Sequence, residues 1–220
     1  MKRTLILLGL ALCLLAGALT SFSSAAFTRQ KSNPGNTFTA AADFCVGAGT
    51  QSITADRDAY VDANSQSTNF GSTATLFVKT KTLLSILDTR DRTLVGFTLP
   101  SIPSNCDLTA ATLKLNASSA TGGRTLVAQR ATSSWTEGGV TWNNQPSVTN
   151  TNEASTSSGS GTVQWTVTAM VLSMYSGTNN GFLVVDSNEN ALLSLGSPQQ
   201  FDSRTQSPSS VRPTLQLTFS

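Results

Sequence analysis

The chain has 220 residues, 14 basic and 12 acidic, no histidine and three cysteines. That length suits one domain with a sizeable core or two small ones. The near balance of charge excludes the basic stripe that nucleic-acid binding needs. The lack of histidine removes most serine, cysteine and metal hydrolase arrangements.

Lys2 and Arg3 precede an apolar run from Leu5 to Leu19, a polar break at Thr20-Ser21, and small residues at Ser24-Ala25-Ala26. This is the layout of an export signal over residues 1–26, too short and wrongly flanked for a stable membrane span. Removing it takes both basic residues away and leaves twelve basic against twelve acidic residues. The expected product is secreted, extracellular or on the cell surface, with no membrane partner once the signal is gone.

Residues 27–50 follow as a polar arm with Pro34-Gly35 as a turn. From residue 51 to 220, short strand-like runs alternate with clusters of Ser, Thr, Asn and Gly. The clearest runs are 59–61, 75–78, 94–99, 111–116, 125–129, 163–167, 182–185 and 214–219. In Thr112-Leu113-Lys114-Leu115-Asn116 and Leu215-Gln216-Leu217-Thr218-Phe219, apolar and polar residues alternate. That period marks strands with one face on a core and one in water. Many short strands separated by turn residues predict an all-β chain: an antiparallel β-sandwich of jelly-roll type. One short helix is expected, capped by Thr168, running through Met170, Val171, Leu172, Met174 and Tyr175, and stopping at Ser176-Gly177. Residues 147–162 read as a long solvated loop.

Cys45 and Cys106 remain after export. In an exported chain such a pair reads first as a disulfide, closing a loop of about 60 residues. Two free thiols are the other reading, and the missing second pair and histidines disfavour a cysteine metal site.

Five stretches stand out in order: Asp58-Ala59-Tyr60-Val61-Asp62 with Thr68-Asn69-Phe70-Gly71-Ser72; Arg92 to Leu99 leading into Ile102-Pro103 and Leu108 to Leu113; Ser134-Trp135-Thr136-Glu137 with Val140 to Pro146; Val167-Thr168-Ala169 with Asn179-Asn180-Gly181-Phe182; and Phe201-Asp202-Ser203-Arg204 with Arg212 to Leu215. Together they resemble the DNRLRE domain, a β-sandwich module of secreted microbial proteins grouped with carbohydrate-binding modules. The chain departs from that pattern at Phe70, Gly96, Thr98 and Thr205. The resemblance implies a non-catalytic module whose partner is a polysaccharide of a cell surface or matrix. Similar modules are associated with acidic polysaccharides such as alginate. Residues 26–28 and 36–44 also resemble the processed start of camelysin-type matrix-fibre proteins. That likeness implies a second reading: an extracellular structural subunit that self-associates through residues 27–44, by adding a strand to a neighbouring sheet.

The candidate sites each carry a structural alternative. Arg92 and Arg204 either make ion pairs or clamp carbonyls inside the sandwich, or present a planar fork of donors to an anionic sugar. Trp135 lies in a loop and is either a sugar platform or a buried ring whose indole N–H needs a partner. Trp142 and Trp165 sit in strand-like alternation and read as core. Asp58 and Asp62, with Asp56 nearby, offer hard oxygen ligands that suit calcium, yet each equally caps a turn. No other cofactor is expected. The acids are scattered, and no spacing singles out a hydrolytic carboxylate pair. Lys79, Lys81, Lys114, Arg124 and Arg130 are candidates for a basic strip, and Asn116-Ala117-Ser118 fits a glycosylation acceptor.

Overall fold

The computed structural model describes residues 44–81, 88–119, 122–190 and 198–220, which belong to one compact unit, Ala42–Ser220. The expected export signal, and the arm up to residue 43, lie outside the described residues.

In chain order the strands are β1 (Gly49–Thr54), β2 (Arg57–Asp62), β3 (Thr75–Val78), β4 (Asp91–Gly96), β5 (Leu108–Ser119) and β6 (Thr125–Ala131). They are followed by β7 (Val148–Ser157), β8 (Gly161–Thr166), helix α1 (Thr168–Tyr175), β9 (Phe182–Asp186), β10 (Gln199–Asp202) and β11 (Thr214–Phe219). All the strand pairs are antiparallel. A six-stranded sheet runs β1-β11-β5-β10-β3, with β8 on the other side of β5; a five-stranded sheet runs β2-β4-β9-β6-β7. The result is the β-sandwich of jelly-roll type that the alternation predicts.

The core follows from that alternation. Leu113, Leu115, Leu215, Leu217 and Phe219 turn inward from the six-stranded sheet against Val95, Leu126, Ala128, Phe182 and Val184 of the other. Trp165 on β8 is buried among them, and its indole Nε1 donates to the Leu126 carbonyl of β6 at 3.1 Å. One side chain thus fills volume and ties the two sheets together, because a buried N–H without a partner is costly.

Two elements differ from expectation. Residues 147–162 are not a loop: most of them form β7 and the start of β8. β7 is polar on both faces because it is an edge strand, hydrogen-bonded only to β6, so no apolar period marks it. Thr168 is not the helix cap. Val167 holds that position, and the Thr168 hydroxyl accepts the Ala111 N–H at 2.9 Å, fastening α1 to β5 instead.

Cys45 and Cys106 form the disulfide, with Cα atoms 4.5 Å apart and a sequence separation of 61. It fixes the chain entering β1 to the chain entering β5.

Candidate functional site

The five-stranded sheet is apolar on its outer face as well. Ala59, Val61, Leu94, Val127, Leu183 and Val185 form a second cluster there, covered in part by Trp135 and Val140. In register, Ala59 pairs with Leu94, Leu94 with Leu183, and Leu183 with Gln129, so one row crosses four strands of this face.

The cover is the chain between β6 and β7, and polar clamps hold it down. Asn69 Nδ2 donates to the carbonyls of Glu137 and Val140 at 2.8 and 2.6 Å. A Cβ at Gly71 would stand 2.0 Å from the Glu137 carbonyl oxygen, so only glycine lets the two segments meet. Trp135 donates from Nε1 to the Asn180 carbonyl at 2.7 Å and is 8% exposed. The Arg57 guanidinium lies over its ring, 5.1 Å from the centroid. Trp135 is therefore a buried wedge under a cation, the second of the two readings its loop position left open, and it is not placed to serve as an exposed sugar platform.

Arg204 is spent in the same way. Its Nε and Nη2 meet the two Glu137 carboxylate oxygens at 2.6 and 2.5 Å, and its backbone N–H donates to Asp58 at 2.6 Å. Glu137 also accepts the Asp58 N–H at 2.9 Å, which satisfies a backbone donor on strand β2. Burial works to raise the Glu137 pKa, but its bonds to Arg204 and Asp58 outweigh this and hold the carboxyl below the usual range. Asp58, deeper, is pushed up to about 6 by burial despite accepting from Arg204 and Ser203.

Asp58 and Asp62 are not brought together. Asp58 faces Ser203 and Arg204, whereas Asp62 accepts the Asn64 N–H at 2.7 Å. Asp56 is engaged by Arg57 and Thr98. Among the described residues no group of three or more acidic or cysteine side chains could hold a metal. Asp62 instead stands opposite Asp91 on β4, and burial together with that neighbour pushes Asp91 up to about 7. The basic strip does not form either: Lys114 lies on the six-stranded sheet, bonded to Gln216, while Arg130 is on the five-stranded sheet. The Asn116 amide sits in β5 and donates to Asp202 at 2.6 Å, so the glycosylation acceptor is part of a strand.

One part of the outer face stays open. A depression of about 300 Å³ has Val127, Leu183 and Val185 in its floor. Gln129 and Glu153, joined by a 2.8 Å hydrogen bond, stand on one side. Arg92, Glu189, Ser187 and Asn190 stand on the other. Arg92 sets the geometry of that wall. Its Nε and Nη2 donate to Glu189 at 2.9 and 2.6 Å, its Nη1 to Gln145 at 2.8 Å, and its Cζ is 4.6 Å from the Trp142 ring centroid. Arg90 lies over the same ring at 5.1 Å. Trp142 is half-buried at a 3-10 turn (Trp142–Asn144) and not in a strand, contrary to the alternation.

An apolar floor with hydrogen-bonding groups along both sides, set on a rigid sheet, is a form that holds a polar ligand with apolar faces. Sugar rings have that character: C–H faces and rims of hydroxyls. Gln129, Glu153 and Asn190 were not singled out by sequence, because none lies in a distinctive motif: the pairing of β6 with β7 brings the first two together, and the turn after β9 brings Asn190 to the same face.

A search of curated proteins finds no match to the chain. The family model described as carbohydrate-binding module family 96 matches residues 49–218, from the first residue of β1 almost to the end of β11. With that match spanning both sheets and the open depression, the chain belongs to carbohydrate-binding module family 96.

Proposed function

We propose that the protein is a secreted, non-catalytic carbohydrate-binding module that holds a cell-surface or matrix polysaccharide across the outer face of the five-stranded sheet. The observation that carries this reading is the depression over Val127, Leu183 and Val185, flanked by Gln129, Glu153, Arg92 and Glu189, in a chain of a carbohydrate-binding family. The apolar floor takes a sugar C–H face, and the amide and carboxylate side chains bond its hydroxyls.

The charges favour a neutral chain over an acidic one. Arg204 is engaged by Glu137 and Arg92 by Glu189, and Glu153 adds a further carboxylate to the lining. An anionic glycan entering here would meet acidic groups whose cationic partner is already paired. Affinity electrophoresis through gels containing neutral or acidic polysaccharides tests both points. Retardation by a neutral chain, lost in Gln129→Ala/Glu153→Ala, supports the reading. Retardation by acidic chains alone would count against the neutral preference, and none by either would count against the function.

A structural role outside the cell is the second reading. What favours it is the exposed, uncharged strand β1 at the margin of the six-stranded sheet.

A further inference from the structure

Sheet edges expose unpaired backbone donors and acceptors, and folded proteins guard them with charges, bulges, short length or a covering group. The marginal strands of this sandwich differ in how far they do so. β2 carries Arg57, Asp58 and Asp62, and Glu137 accepts its Asp58 N–H. β3 has four residues, and its Phe77 carbonyl accepts the Thr93 hydroxyl. β7 carries Glu153, has Asn152 at φ 61°, and breaks register against β6. β8 lies against β7 where the two sheets meet.

Among the described residues β1 has none of these devices. Its six residues, Gly-Thr-Gln-Ser-Ile-Thr, hold no charge and no proline, pair in unbroken register with β11, and are exposed except for the half-buried Ile53. Among the described residues no backbone hydrogen bond outside the β11 ladder reaches Thr50 to Thr54. Exposed apolar side chains stand where the chain enters β1, held toward the start of β5 by the Cys45–Cys106 disulfide and by the Val46 N–H bond to the Ser104 carbonyl. Phe44 and Val46, 70% and 71% exposed, lead into β1, and Ile102 flanks Pro103, which packs on Gly47.

We propose that β1 is a self-association edge, pairing antiparallel with β1 of a second copy so that two six-stranded sheets become continuous across a two-fold axis. The occupant is argued from the strand itself. An isologous contact sets each residue against its own kind or a near neighbour, so a charged strand would oppose like charges, and β1 has none. The same pairing gives the bare backbone groups partners and adds cover to Ile53. A two-fold contact closes, so the product is a dimer and not a fibre. This inference does not depend on the glycan reading.

The test is sedimentation velocity of the purified protein at tens of micromolar, with thermal unfolding of each variant as a fold control. Twice the 23.0 kDa chain mass is expected at most, less any removed leader. Thr50→Lys/Ser52→Lys should give monomers that still unfold in one cooperative transition, since both side chains stand exposed on β1. A monomeric wild-type protein would overturn the proposal, as would lysine variants that stay dimeric. Open-ended polymers would also overturn it, pointing to the N-terminal arm on a neighbour's edge.

Discussion

Arg204 and Glu137 meet fork to fork, with nitrogens 2.6 and 2.5 Å from the two carboxylate oxygens, and Glu137 turns one of those oxygens to the Asp58 N–H as well. The pair joins three distant segments: β2, the chain after β6 and the chain after β10. The resemblance motifs around residues 58, 137 and 204 are thus parts of one clamp.

Arg204→Ala leaves Glu137 and the deeper Asp58 without their cation. We expect a loss of about 1–3 kcal/mol in stability, below the fully buried case because Arg204 is a third exposed. Glycan binding by the folded fraction should be unchanged, since the pair is outside the depression. Urea unfolding with a parallel titration checks both halves.

Asp58 and Asp91 have folded-state pKa values raised to about 6 and about 7. Each binds its proton more tightly folded than unfolded, so the stability they contribute is full below about pH 4 and is lost as pH rises toward 7. Glu137 and Asp88, held low by Arg204 and Arg90 respectively, act oppositely and lose their contribution as pH falls through the acid range. Stability should therefore peak at about pH 4 to 4.5 and fall by on the order of a few kcal/mol by pH 7.5. Denaturant midpoints across that range test this. A midpoint that rises steadily to pH 7.5 would contradict it.

The two loop tryptophans should respond differently to truncation. Trp135→Ala removes a buried wedge and should cost about 3–5 kcal/mol. Trp142→Ala removes a half-buried ring beneath two guanidinium groups and should cost less, about 1–3 kcal/mol. Its distinguishing effect is on the ligand: with Arg92 freed on one side, the wall of the depression loosens and glycan affinity falls severalfold. Equilibrium unfolding and calorimetric titration of both variants separate the roles.

Reducing the Cys45–Cys106 bond, or replacing it with Cys106→Ser/Cys45→Ser, should lower stability by about 2–4 kcal/mol, because the bond closes a loop between residues with a sequence separation of 61. Comparing unfolding midpoints of the oxidised protein and the double variant measures the loss.

Sequence reveals this fold where one face of a strand is wet and the other dry. β5, β6, β8, β9 and β11 all alternate or run apolar, and all were legible. β1, β7 and β10 were not. β1 and β7 are edge strands with little buried surface, and β10 is four residues long with a buried Gln199 whose amide bonds Ser119 instead of water. The tryptophans show a further limit. Trp142 fits an alternating pattern yet sits at a 3-10 turn, and Trp135 has a loop's surroundings yet is buried, because a cover over a sheet has no period of its own. Arg92 was legible as a candidate, but Gln129 and Glu153 share its depression through strand register and Asn190 through the turn after β9.

The most direct measurement is retention of the protein by polysaccharide gels, alongside Gln129→Ala/Glu153→Ala, two substitutions at the rim of the depression that leave its apolar floor intact. The account predicts retardation by at least one neutral polysaccharide and at least a tenfold loss of affinity in a variant with an unchanged melting temperature. No retention on any neutral or acidic polysaccharide, or full retention by the variant, would contradict a glycan site on this face.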